Sequence, residues 1–166
     1  MTLETENPAP GKPEEAFRLQ RSAARALAIQ YLYQLDTLKS WDCSEEELTL
    51  FSDHMRNQGS ELSEKLLQKA WKFARQLICG LCEQHTQIDQ MLSDAADNWA
   101  LSRMSSVDRS ILRLGIYEMI FSGKVTPATA INEAVELAKK FAQADSPRFI
   151  NGVLDKVKKN QLGAGS

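Results

Sequence analysis

Cys79 and Cys82 stand three residues apart and His85 follows three later, a spacing suited to a bound metal. A structural zinc takes four ligands, and only these three are local. The remaining candidates, Cys43 and His54, lie far off in the sequence. Helical period sets the two cysteines beside apolar positions, where free cysteine behaves as a small buried hydrophobe, and the βαβ setting of a thioredoxin-like pair is missing. Glu133 and Glu136 are the next residues that could do chemistry, as paired carboxylates on one helix. Di-iron bundles require Glu-x-x-His, which neither histidine supplies. Lys139 and Lys140 follow closely enough to give these glutamates ordinary ion pairs on a solvated face. With no glycine-rich phosphate loop, no G-x-S-x-G elbow and only two histidines, the chain offers no catalytic constellation, metal site or cofactor motif.

Arg18, Arg21 and Arg25 are more informative. At 100° per residue they fall within an arc of about 60° beside an apolar stripe, so all three face one side of a helix. Arg18 lies near the helix start, where the macrodipole disfavours a cation. A nucleic-acid phosphate would offset that, since it is attracted both to arginine and to the free N–H groups of a helix N-terminus. The competing reading is a solvated face on which these arginines pair with neighbours such as Glu14. Tyr33 lies about 60° round from Arg18, placed either to stack a base or to serve as a boundary tyrosine.

The elements that must position these residues are all helical. At 166 residues, 43% hydrophobic and 25% charged, the chain has the composition of a single globular domain with a core of its own. Residues 1–13, with Pro8, Pro10, Gly11 and Pro13, read as a disordered tail; 14–160 form the domain and 161–166 a second short tail. Ala24, Leu27, Ala28, Tyr31, Leu32 and Leu35 mark a first helix to about Leu38. Ser44 with Glu47 opens a second, acidic one that ends before Gly59. Leu66 through Leu92 predicts one long third helix, bent if anywhere near His85. Ser105 and Asp108 predict the start of a fourth that is apolar nearly all round and therefore central. Thr126-Pro127 and Ser146-Pro147 predict two further starts by the same device, an N-cap followed by proline. No stretch alternates like a strand, so the fold class is all-α.

The net charge of −2 conceals a polarity: residues 42–97 hold eleven acids against five bases, whereas 103–160 hold ten bases against six acids. That distribution admits an anionic partner. No apolar run is long enough to span a bilayer, and Met1 to Lys12 has no signal-peptide character. With three cysteines in no framework spacing, a cytoplasmic location is expected.

Three segments resemble the NusB family of bacterial transcription antitermination factors: Arg21 to Asp36 (RSAARALAIQYLYQLD), Val107 to Met119 (VDRSILRLGIYEM) and Pro127 to Asp155 (PATAINEAVELAKKFAQADSPRFINGVLD). The resemblance implies a seven-helix bundle, with no enzymatic activity, that binds ribosomal protein S10 (NusE) and with it the boxA RNA of ribosomal RNA leader transcripts. The pair then joins other Nus factors on RNA polymerase and suppresses Rho-dependent termination. It also implies RNA-binding roles for Arg18, Arg21, Arg25, Tyr33, Asp145, Arg148 and Phe149, and an S10 contact at Asp108. Gln20, Ser22 and Ala23 stand where the family often carries further basic residues, which implies weak RNA affinity without S10. Two other readings are a NusB-like N-terminal domain of a ribosomal RNA cytosine methyltransferase, whose catalytic domain would follow residue 166, and an interaction module with protein partners only.

Overall fold

The computed structural model describes residues 12–59, 62–97 and 100–163. Seven α-helices run along these residues: α1 (Lys12–Leu38), α2 (Glu45–Asn57), α3 (Glu64–Glu83), α4 (His85–Ala95), α5 (Ser106–Ile116), α6 (Pro127–Phe141) and α7 (Ser146–Leu162). Most of the expected N-terminal tail lies outside the described residues, but Lys12 and Pro13 already belong to α1. At the other end, α7 continues through Leu162, past the predicted boundary at residue 160.

Local chemistry explains most of the boundaries. The hydroxyls of Ser44, Ser105 and Thr126 accept from the backbone N–H groups of Glu47, Asp108 and Thr129 at 3.3, 3.0 and 3.1 Å. Each satisfies a donor that the first helical turn leaves without a partner. The predicted long third helix is instead two, α3 and α4, divided at Gln84, whose φ of −108° departs from helical geometry. The Nδ1 of His85 donates to the carbonyl of Cys82 at 2.8 Å, covering an acceptor freed by the break. This division yields the seventh helix.

Helix α5 is the centre of the bundle and packs on α1, α4, α6 and α7. Ile111, Leu112, Leu114 and Ile116 are buried on it. Gly115 sets how closely α5 approaches its neighbours, because a Cβ there would lie 2.9 Å from Leu154 Cδ1 and 3.4 Å from Ala134 Cβ. Beyond Ile116 the chain widens into a π-helical segment, Tyr117–Ser122, closed by Gly123 at φ +67°, a left-handed conformation that glycine adopts without a Cβ penalty. That segment carries the buried carboxylate of Glu118.

A second buried polar assembly ties the end of α1 to the start of α5. The Asp36 carboxylate accepts from Arg109 Nε and Nη2 at 3.0 and 2.7 Å, from Arg113 Nη1 at 2.7 Å and from Ser106 Oγ. Arg113 also bonds Asp89 through Nε at 2.8 Å, and its guanidinium lies 4.7 Å from the centre of the Trp41 ring. Burial would raise the Asp36 pKa, but the bonds from Arg109, Ser106 and Arg113 outweigh it and hold the carboxyl well below the usual range.

Candidate nucleic-acid interface

Arg18, Arg21 and Arg25 do share a face: together with Phe17, Phe73 and Lys124 they line one cavity of about 330 Å³ between the start of α1, α3 and the start of α6. Depth along that face separates them. Arg18 is exposed and makes no ion pair among the described residues.

Arg21 is half-buried, its guanidinium carbon 3.5 Å from the ring centre of Phe73 and 4.6 Å from that of Phe17. No carboxylate pairs with it among the described residues. Burial, and after it the charge of Arg25, lower its pKa, with only partial relief from Glu118. It remains a cation at neutral pH, so it is a desolvated charge held by aromatic faces and lacking an anion.

Arg25 departs from the expectation of three arginines free to face a partner. It is 5% exposed and donates to both oxygens of Glu118, at 2.7 and 2.9 Å, and to Glu133 Oε1 at 3.0 Å. Burial opposes its charge, but Glu118 and then Glu133 raise its pKa. Its role in the cavity is to fix those carboxylates. The periodicity gave the correct face, but a rotation angle says nothing of depth. A better signal was Glu118 itself, a lone carboxylate in an apolar central segment that needs a buried partner. Glu133 thus pairs with an arginine across the bundle, and only Glu136 makes the expected local bond, to Lys139 at 3.0 Å. The walls Phe17 and Phe73 and the cation Lys124, 5.8 Å from the Phe73 ring, were not foreseen.

Tyr33 is exposed but does not line this cavity, since fifteen residues of helix carry it about 22 Å from Arg18 along the axis. Asp108, Asp145 and Phe149 meet in a second cleft of about 400 Å³ with Arg103 and Gln143. There the buried Oδ1 of Asp108 has no hydrogen-bond partner among the described residues. Arg148 is exposed and lies in a neighbouring groove that shares Phe149. The Ser146-Pro147 start differs from Thr126-Pro127. Ser146 is already inside α7 and buried, and Asp145 holds the N-cap position without a side-chain capping bond.

Cys43 was expected to be remote but is brought to Cys79 and Cys82 from the loop before α2; burial first, then these neighbours, push the Cys79 and Cys82 thiols up, so they stay protonated. The His85 ring stacks on Trp41 with centres 4.7 Å apart. Among the described residues no group of His, Cys, Asp and Glu is arranged to hold a metal ion, and no helix is long and apolar enough to cross a membrane.

The NusB family profile matches residues 22–159, beginning just after Arg18 and Arg21. The transcription antitermination protein NusB of Elusimicrobium minutum is 41% identical over 142 residues, which cover 85% of this chain and 94% of that one. Among solved structures, NusB of T. maritima superposes with a TM-score of 0.65 at 30% identity, covering 84% of this chain and 90% of the other. A structure of the antitermination factors NusB and NusE in complex with dsRNA gives 0.67 at 26%, covering 85% and 97%. On the extent of these matches and the fold they share, the chain belongs to the NusB family.

Proposed function

We propose that this chain is a transcription antitermination factor that acts in the cytoplasm and binds the boxA RNA of ribosomal RNA leader transcripts together with ribosomal protein S10 (NusE). The pair then joins other Nus factors on RNA polymerase and suppresses Rho-dependent termination. The observation that carries this reading is the half-buried Arg21, stacked between Phe17 and Phe73 without a carboxylate and flanked by Arg18 and Lys124. Cations beside an exposed aromatic ring are what a single-stranded RNA requires, the cations for phosphate and the ring, here Phe17, for a splayed base. Arg18 and Arg21 contact the phosphates, and Arg25 acts behind them through Glu118 and Glu133. Tyr33, Asp145, Arg148 and Phe149 belong to a further stretch of the RNA path. Asp108, at the start of α5 in the same cleft as Asp145 and Phe149, presents S10 with a negative charge.

The test is the affinity for boxA RNA with and without S10 as salt is varied. Binding strengthened by S10 and falling by about 0.7 in log K per decade of salt for each phosphate neutralised is the expected outcome. Binding of S10 with no measurable RNA affinity would leave the protein-only module in its place.

A further inference from the structure

Glu133 is the one carboxylate among the described residues that line the arginine cavity, an unexpected group in a site that attracts phosphate. Its placement is fixed. Oε1 accepts from Arg25 Nη1 at 3.0 Å, and Arg25 is itself locked to Glu118 by two bonds. Oε2 has no hydrogen bond among the described residues, and the side chain is 32% exposed. An anion held there repels a bare phosphate, so a ligand that fills the cavity must bring a donor to it.

We propose that Glu133 reads the identity of one nucleotide of the bound RNA by accepting from the exocyclic amino group of its base. This inference rests on the RNA-binding reading above and assigns a specificity to the same cavity. Arg18, Arg21 and Lys124 take the phosphate side, Phe17 and Phe73 supply apolar walls, and the free oxygen of Glu133 faces the base edge. A cavity of about 330 Å³ is sufficient for one nucleotide and not for several. Adenine, cytosine and guanine each present an exocyclic amino donor, whereas the edge donor of uracil is a single ring N3–H set between two carbonyl acceptors that a carboxylate repels. Arg25 is the positioning residue, because it pins one oxygen of Glu133 and leaves the other for the base.

The experiment measures the affinity of the chain, with S10 bound, for boxA RNA in which each amino-bearing nucleotide is replaced in turn by its counterpart lacking that amino group. Inosine replaces guanosine, purine riboside replaces adenosine, and pyrimidinone riboside replaces cytidine. At one position the loss is about fivefold, the lower end for a base contact. Glu133→Gln keeps its oxygen on Arg25 and turns its amide NH2 toward the base, so the loss at that position disappears and uridine there binds better than in the parent. A merely structural Glu133 would leave the position-by-position profile unmoved, and that result overturns the proposal. So does a parent profile with no sensitive position, whether or not Glu133→Gln folds. Arg21→Ala separates the two readings: unaltered RNA affinity in that variant removes the interface itself, while weakened binding with an unchanged Glu133→Gln profile removes only the base reading.

Discussion

Arg25 and Glu118, 93 residues apart in the chain, meet side by side with Nε to Oε1 at 2.7 Å and Nη2 to Oε2 at 2.9 Å, and neither is more than 5% exposed. A two-point pair of this kind fixes the angle between α1 and the π-helical segment after α5 as well as the charges themselves. Arg25→Ala would leave the Glu118 carboxylate buried and unpaired. The expected loss of unfolding free energy is about 3–5 kcal/mol, the range for breaking one side of a buried pair. Denaturant unfolding of the variant checks this, and a loss below about 1 kcal/mol would mean that water reaches Glu118 freely.

Arg18 and Arg21, unlike Arg25, are available to an anion. Replacing both by alanine should flatten the salt dependence of boxA binding by about 1.4 in log–log slope, at about 0.7 for each phosphate contact to a single strand. Arg21→Lys should restore little of the affinity, because an ammonium does not stack between Phe17 and Phe73 as a planar guanidinium does. A full slope in the double variant would place the RNA elsewhere on the surface.

How much of this was legible follows from how local each signal is. Ser44, Ser105 and Thr126 were readable as caps because the bond they make lies within three residues of sequence. The same reasoning failed at Ser146, where burial in the bundle drew the residue into α7 and left Asp145 at the cap position. The break at Gln84 has no glycine or proline to mark it, and the π-helical turn after Ile116 preserves the apolar pattern of an ordinary helix. The common face of Arg18, Arg21 and Arg25 followed from period alone. Their division into free, stacked and paired cations depends on Phe73, Glu118 and Glu133, which only the tertiary fold brings near.

Asp36 makes the stability of the bundle depend on acid. Its pKa is lowered in the folded state, so its contribution is fully present above the ordinary carboxyl value of about 3.9 and is lost as pH falls below that. Asp36→Asn should lower the melting temperature at neutral pH, where Arg109 loses its carboxylate and Arg113 keeps only Asp89, and should flatten the decline of stability between about pH 4 and 2. Thermal unfolding of parent and variant across that range tests the assignment, and parallel curves would transfer the acid sensitivity to other carboxylates.

Asp108 lies in the first turn of α5, where an acidic side chain favours the helix dipole, and its buried oxygen has no partner among the described residues. Asp108→Lys should weaken S10 association by reversing the charge that this cleft presents, while the bundle remains folded through the Ser105 cap. Calorimetric titration at moderate salt measures it. Parent affinity in the variant would move the S10 contact away from this cleft.

Asp145 stands at the N-cap of α7 with φ −91° and ψ −7°, and its side chain makes no capping bond. Its contribution to the helix is therefore its charge near the positive end, about 0.3–1 kcal/mol for an exposed group. Asn at this position keeps the size and the option of capping, so Asp145→Asn should cost no more than that amount. The same charge opposes any phosphate entering the cleft between Asp108 and Phe149. Removing it should tighten boxA binding, most strongly at low salt, where screening is weakest. Fluorescence titration at two salt concentrations, with melting temperature as the control for folding, distinguishes the outcomes. Unaltered affinity at both would separate Asp145 from the RNA path, and weaker affinity would show that its carboxylate accepts a hydrogen bond from a base.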